Sequence, residues 1–212
     1  MKVDLVDRRT VYDGFVRLEE ATLRHERFDG SMSDEVTRLN VDRGDSAAAV
    51  VLDVDAGQVI LTEQFRYPAH TADGGWILEL PAGSVKDGEE PAEAMKRELV
   101  EELGYEAPNL RHVSTFYPSP GASSERIWLY LAEVRDSDRV AEGGGSADEG
   151  EDIRAVPLPV DRIPEAVAEG RIRDAKTLVG LLWLRDRAAR REEPDGSADG
   201  PADGSADGST QR

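Results

Sequence analysis

The chain of 212 residues contains no cysteine and only four lysines, Lys2, Lys86, Lys96 and Lys176, against 22 arginines. Without thiols there can be no disulfide, no thiolate nucleophile and no cysteine-ligated zinc. Positive charge is scarce as well: 26 basic against 44 acidic residues leave a formal net charge of −18. Nucleic-acid affinity comes largely from clustered Lys and Arg that neutralise phosphates, so this balance argues against a polyanion-binding surface. A phosphate ligand would have to be met locally, by a metal and a few arginines. No apolar run reaches 18 residues and the opening MKVDLVDRRT lacks a signal peptide's apolar segment. Neither membrane spanning nor export is expected, and a cytoplasmic protein fits. Histidine is limited to His25, His70 and His112, which form no ligand cluster.

What is present suffices for one full core, not for two large domains. Residues 192–212 repeat Asp, Gly, Ser and Ala with no large apolar side chain to bury, and are expected to be a disordered acidic tail. Short apolar or alternating runs broken by Gly, Asp and Pro predict strands over 47–52, 59–67, 76–80, 113–116, 127–131 and 153–158. Asp174 can cap a helix whose apolar positions recur through Leu178, Leu181, Leu182 and Leu184. Strands, one helix, more strands and further helices predict an α/β (α+β) fold, a mixed β-sheet flanked by helices, over 46–191. Residues 1–45 are expected to form a small N-terminal antiparallel β subdomain, with two strands joined at Asp29-Gly30. The acid-rich, lysine-poor composition resembles proteins of salt-accumulating archaea, whose self-repelling surfaces are tolerated because salt screens them.

From Gly83 to Tyr105 the chain reads GSVKDGEEPAEAMKRELVEELGY. Pro91 suits a first helical position and Gly104 a helix C-terminus, so a helix is predicted between them. It would carry Glu98, Glu101 and Glu102 at i, i+3 and i+4, on one face. Acids in a first turn complement the helix dipole; these sit in the last turn, beside its negative end, where like charges repel. A cation is expected there. Mg²⁺ is usually held by one or two carboxylates together with phosphate oxygens and water. Taken alone, the three glutamates would read as a solvated acidic face. Gly83, Glu89, Arg97, Glu98, Glu101, Glu102 and Gly104 in register, however, would arise by chance with a probability on the order of 10⁻⁵ at average residue usage.

That register, G-x5-E-x7-R-E-L-x-E-E-x-G, resembles the signature of the Nudix hydrolases. Three further stretches are similar to one branch, the ADP-ribose pyrophosphatases: Glu63-Gln64-Phe65-Arg66-Tyr67, Leu78-Glu79-Leu80-Pro81-Ala82-Gly83, and Ala147-Asp148-Glu149-Gly150-Glu151-Asp152-Ile153. A proline is also usual about 16 residues beyond the final glycine of the box, and Pro120 stands there, in Ser119-Pro120-Gly121-Ala122-Ser123-Ser124-Glu125. Tyr105, in place of an aliphatic residue, and Met95, where Ala is common, depart from the pattern but stay apolar. The resemblance implies the Nudix fold, an α/β/α sandwich, and Mg²⁺-dependent hydrolysis of a nucleotide sugar, with Mn²⁺ as the alternative metal. It implies metal ligands at Glu98, Glu102, Glu151 and the Ala82 carbonyl, with Glu101 nearby and Glu149 or Glu151 as general base. Arg97 and Glu89 are expected to be structural, like Gly83 and Gly104. Arg66 and Arg38 are the candidates for holding phosphate, because guanidinium suits oxyanions bidentately. Glu79, Pro120 and Glu125 complete the substrate-side candidates. An adenine could stack on Tyr12, Phe15, Phe28 or Trp76. A homodimer whose N-terminal strands help build the neighbour's site is implied by the resemblance alone.

Overall fold

The computed structural model describes residues 1–192, the side chains of Glu149 and of residues 189–192 excepted. The acidic tail expected over 192–212 lies, from residue 193 on, outside the described residues. Among these residues no helix is long and apolar enough to cross a membrane.

The chain opens with three antiparallel strands, β1 (Val3–Asp13), β2 (Arg17–His25) and β3 (Val36–Asp42), in the order β1-β2-β3. The turn at Asp29-Gly30 joins β2 to β3, with Gly30 in the left-handed region (φ 83°) that suits glycine. β1 was not among the expected strands. All eleven of its residues are exposed, so it lacks the alternation of apolar and polar residues that marks a half-buried strand. It is held by cross-strand partners instead, among them Arg9 on Glu20 (2.7 Å).

The main sheet is mixed. β4 (Ser46–Asp53) is its centre: residues 46–51 are buried, as a strand covered on both faces requires. β9 (Ile127–Val134) lies parallel to it, and β8 (Leu110–Phe116) antiparallel beyond β9. On the other side β5 (Gln58–Phe65) pairs β4 only near their shared turn, then pairs β10 (Arg154–Pro159) at the edge. Past that turn β4 and β5 part, and the segment β6 (Trp76–Glu79) to β7 (Ala82–Ser84) enters between them. β6 pairs β5, while β7 pairs β4.

Alternation along β4 sends Ala47, Ala49 and Val51 to one face and Ala48 and Val50 to the other. The first face is covered by α2 (Pro91–Glu98), through Ala94 and Met95, and by Leu99 in the turn that follows it. The second is covered by α3 (Ile163–Ala168) and α4 (Ala175–Glu192), through Ile163, Ala166, Leu181 and Leu184. This is the expected α/β/α sandwich. Asp174 does cap α4: its Oδ2 accepts from the Thr177 amide (2.9 Å) and hydroxyl (2.6 Å). The strand expected to reach Tyr67 ends at Phe65, because α1 (Tyr67–Asp73) begins there with Pro68 in its first turn.

Candidate active site

The box helix starts at Pro91 and closes at Gly104, in the left-handed conformation (φ 78°), as expected. Its last turn differs from expectation: Leu99–Leu103 is π-helical, and the Tyr105 amide reaches back to the Leu99 carbonyl (3.1 Å). Wide turns of this kind recur at functional sites because they re-aim side chains. Here Glu98 and Glu102 turn inward and are buried, whereas the Glu101 side chain stays 39% exposed and pairs with Arg97 (3.2 Å). Arg97 Nη1 donates to both Glu98 and Glu101, so Glu101 stays beside the buried pair, at its exposed rim.

The acidic loop docks on this turn. Amides of Gly144 and Gly145 donate to the carbonyls of Glu102 (2.9 Å) and Glu101 (3.0 Å), satisfying the helix end. A Cβ on Gly104 would overlap the Ala141 carbonyl, so the same glycine serves both the backbone conformation and the loop's approach. The loop runs through a single 3₁₀ turn, Ala147–Glu149, and returns to Glu151, whose carboxylate accepts from the Ser146 amide (3.0 Å). This brings Glu151 into the electrostatic field of Glu98 and Glu102.

β7 forms the opposite wall. The Ala82 amide donates to Glu102 Oε2 (3.2 Å), and a Cβ on Gly83 would overlap the carboxyl group of Glu98. Gly83 is thus required by close approach. Arg97 ties the box together, donating to Glu98 (2.6 Å), to Glu89 (3.3 Å) and to the Ser84 carbonyl (3.2 Å).

Glu102 is 2% exposed, with one amide donor and no cation beside it among the described residues. Burial, reinforced by the charges of Glu98, Glu151 and Glu79, pushes its carboxyl up to about 9. Burial also raises Glu98, against the pull of Arg97. The chemistry of these carboxylates suits a hard divalent cation, which would supply the missing positive charge. The fit lies in this unmet charge; among the described residues no three acidic or imidazole side chains already converge as a ligand set.

The substrate-side candidates divide. Glu79, at the end of β6, is 2% exposed and takes Arg66 Nε on Oε1 (2.7 Å) and Lys176 Nζ on Oε2. It is inside the wall, reaching outward through Arg66. Lys176 on α4 had no assigned role in the sequence; its meeting with Glu79 joins residues 97 apart, which no local pattern signals. Arg38, in the middle of β3, is exposed and donates to the Thr37 carbonyl, with no ion pair to the carboxylate group among the described residues. Glu125 accepts from the Ser46 hydroxyl (2.6 Å) at the start of β4, and Pro120 is exposed in the preceding loop. Of the aromatics, Trp76 lines a cavity of about 520 Å³ with Glu63, Asp152 and Arg154, next to the acidic loop. Tyr12, Phe15 and Phe28 lie on the N-terminal sheet and its turns, exposed.

A family model described as NUDIX domain matches residues 42–178. The chain belongs to the Nudix family. It is 36% identical over 183 residues to the ADP-ribose pyrophosphatase of Escherichia coli strain K12, covering 86% of this chain and 87% of that protein. It is 33% identical over 179 residues to the GDP-mannose pyrophosphatase of Pectobacterium atrosepticum, covering 84% and 91%. A crystal structure of an ADP compounds hydrolase superposes with a TM-score of 0.71 at 20% identity, covering 91% of this chain and 97% of the other.

Proposed function

We propose that the protein hydrolyses ADP-ribose to AMP and ribose 5-phosphate, with Mg²⁺ as cofactor. The observation that carries the reading is the buried, cation-less Glu102 among Glu98, Glu151 and Glu79 in a Nudix chain, together with ADP-ribose pyrophosphatases 34–36% identical over most of its length. Glu98, Glu102, Glu151 and the Ala82 carbonyl would hold the metal, with Glu101 at the rim. Bound there, Mg²⁺ would acidify water and relieve charge on the diphosphate. The chain's own groups do the rest. Arg66 offers its guanidinium to the diphosphate, and the loop carboxylate accepts the proton of the attacking water. Glu151's electrostatic coupling to Glu98 and Glu102 supports giving it to the metal, which leaves Glu149 on the same loop as the base.

The GDP-mannose relatives keep a second nucleotide-sugar specificity in play. Parallel assays on ADP-ribose, GDP-mannose, NADH and a diadenosine polyphosphate decide it: the highest kcat/KM is expected for ADP-ribose, and a wide preference for another substrate refutes the choice. Binding of ADP-ribose without turnover in Mg²⁺ and Mn²⁺ would instead indicate a sensing module.

A homodimer formed through the N-terminal sheet is part of the proposal. Val3, Leu5, Val11, Tyr12, Phe15, Phe28 and Leu39 are all exposed there, more apolar surface than a lone three-stranded sheet is expected to leave in water. Sedimentation velocity should give twice the chain mass; a monomer at micromolar concentration would exclude it.

A further inference from the structure

We propose that Lys176 is a positioning residue for substrate binding, acting through Glu79 to keep the Arg66 guanidinium turned toward the diphosphate. This rests on the nucleotide-diphosphate hydrolase reading of the site. Glu79 is a buried carboxylate gripped from two sides, one cation per oxygen: Arg66 Nε on Oε1 at 2.7 Å, Lys176 Nζ on Oε2. Arg66 uses only Nε for this contact. Its two terminal nitrogens, on a side chain 43% exposed, have no protein partner among the described residues and are left for phosphate oxygens.

The arrangement matters because arginine prefers a two-pronged grip on a carboxylate. With both oxygens of Glu79 open, Arg66 would close onto it fork to fork and withdraw a terminal nitrogen from the substrate. Lys176 occupies Oε2 and prevents that. A lysine is well suited to this position, since its compact ammonium takes one oxygen without covering the other.

The approach of Lys176 is built into the fold. Its side chain is only 12% exposed. Asp174 Oδ2 lies 3.2 Å from Lys176 Nζ and accepts from both the amide and the hydroxyl of Thr177. Thr177 Oγ1 in turn accepts from the Leu80 amide (2.8 Å), the residue next to Glu79. The start of α4 and the end of β6 are thereby stitched at consecutive residues. Arg66 is fixed at its other end, its amide donating to the Gly75 carbonyl (2.7 Å). A loose surface ion pair would have none of this framework.

The test is a double-mutant cycle of Lys176→Met and Arg66→Ala, read twice: by hydrolysis kinetics at saturating Mg²⁺, and by calorimetric binding of the non-hydrolysable α,β-methylene analogue of ADP-ribose. Lys176→Met alone should raise KM and the analogue's Kd about tenfold, with kcat changed by less than about threefold. In the Arg66→Ala background it should add less than about twofold. Additive losses, or a fall in kcat at unchanged KM and Kd, would overturn the proposal, since a merely structural lysine has no reason to act through Arg66. If Lys176→Met does not fold, Lys176→Gln takes its place in the same cycle. Wild type run beside the variants separates the two readings. If it neither binds nor turns over ADP-ribose, the substrate choice fails, and the cycle on the substrate it does use still decides the role of Lys176.

Discussion

Replacing Glu102 by glutamine should make the metal-free protein more stable and the enzyme nearly inactive. Glu102 is 2% exposed, and its carboxyl titrates at about 9 in the fold against an ordinary value of 4.5. A carboxyl raised by folding favours the folded state fully below the unfolded value, and that advantage is lost as pH rises through the folded one. At pH 7 the loss is ~3 kcal/mol, from 1.36 kcal/mol per pH unit. Glutamine carries no such linkage and can still accept the Ala82 amide. Urea unfolding of both proteins in EDTA should therefore show Glu102→Gln more stable by ~2–3 kcal/mol at pH 7, the gap closing toward pH 5 and widening toward pH 8. Adding Mg²⁺ should reverse the order, because a ligand stabilises only the state that binds it, and wild type alone retains the full charge. Turnover should fall by about 10² or more, with a raised metal requirement. The burial argument is refuted if the EDTA stabilities coincide at every pH. The ligand assignment is refuted if Mg²⁺ stabilises both proteins equally.

Three further outcomes follow from the geometry. Gly83→Ala forces the Glu98 carboxyl off β7 and away from its grip by Arg97, so the variant should lose ~1–3 kcal/mol of stability and need more Mg²⁺ for half-maximal rate; an unchanged metal titration would contradict the close approach. Thr177→Val removes the acceptor of the buried Leu80 amide and the donor to Asp174, which should cost ~1–3 kcal/mol in denaturant unfolding; a neutral result would mean α4 is not clasped to β6. A net charge of −18 should make thermal stability and activity rise with KCl as repulsion is screened; a steady decline from dilute buffer would refute the salt-adapted reading of the composition.

Local chemistry made much of this molecule readable in one dimension. Pro91 and Gly104 bracket the box helix because one fits a first turn and the other a left-handed cap. The short apolar run at 47–52 read as a strand, and Asp174 announced α4 by the position of its cap. Asp29-Gly30 marked a turn for the same reason. These are effects that reach a few residues, so a few residues suffice to see them. β1 escaped because its stability comes from cross-strand partners and not from burial; α1 escaped because seven residues with none buried leave no period to detect.

The site was legible as an inventory and illegible as an arrangement. Spacing alone singled out Glu98, Glu101 and Glu102, though on a regular helix where the last turn is in fact wide. Only the packing of β7 against the helix end buries Glu98 and Glu102 while Glu101 stays at the rim, sharing Arg97 with Glu98. Which carboxylate lacks a cation was likewise undecidable in the sequence, since Glu98 and Glu79 find Arg97, Arg66 and Lys176, and Glu102 finds an amide. Composition and spacing thus determined the family, most strands of the main sheet and the glutamates worth watching, because those follow from short-range propensities. Tertiary structure decided which of these charges are buried and which are paired, because burial and pairing depend on residues that meet only once the chain has folded.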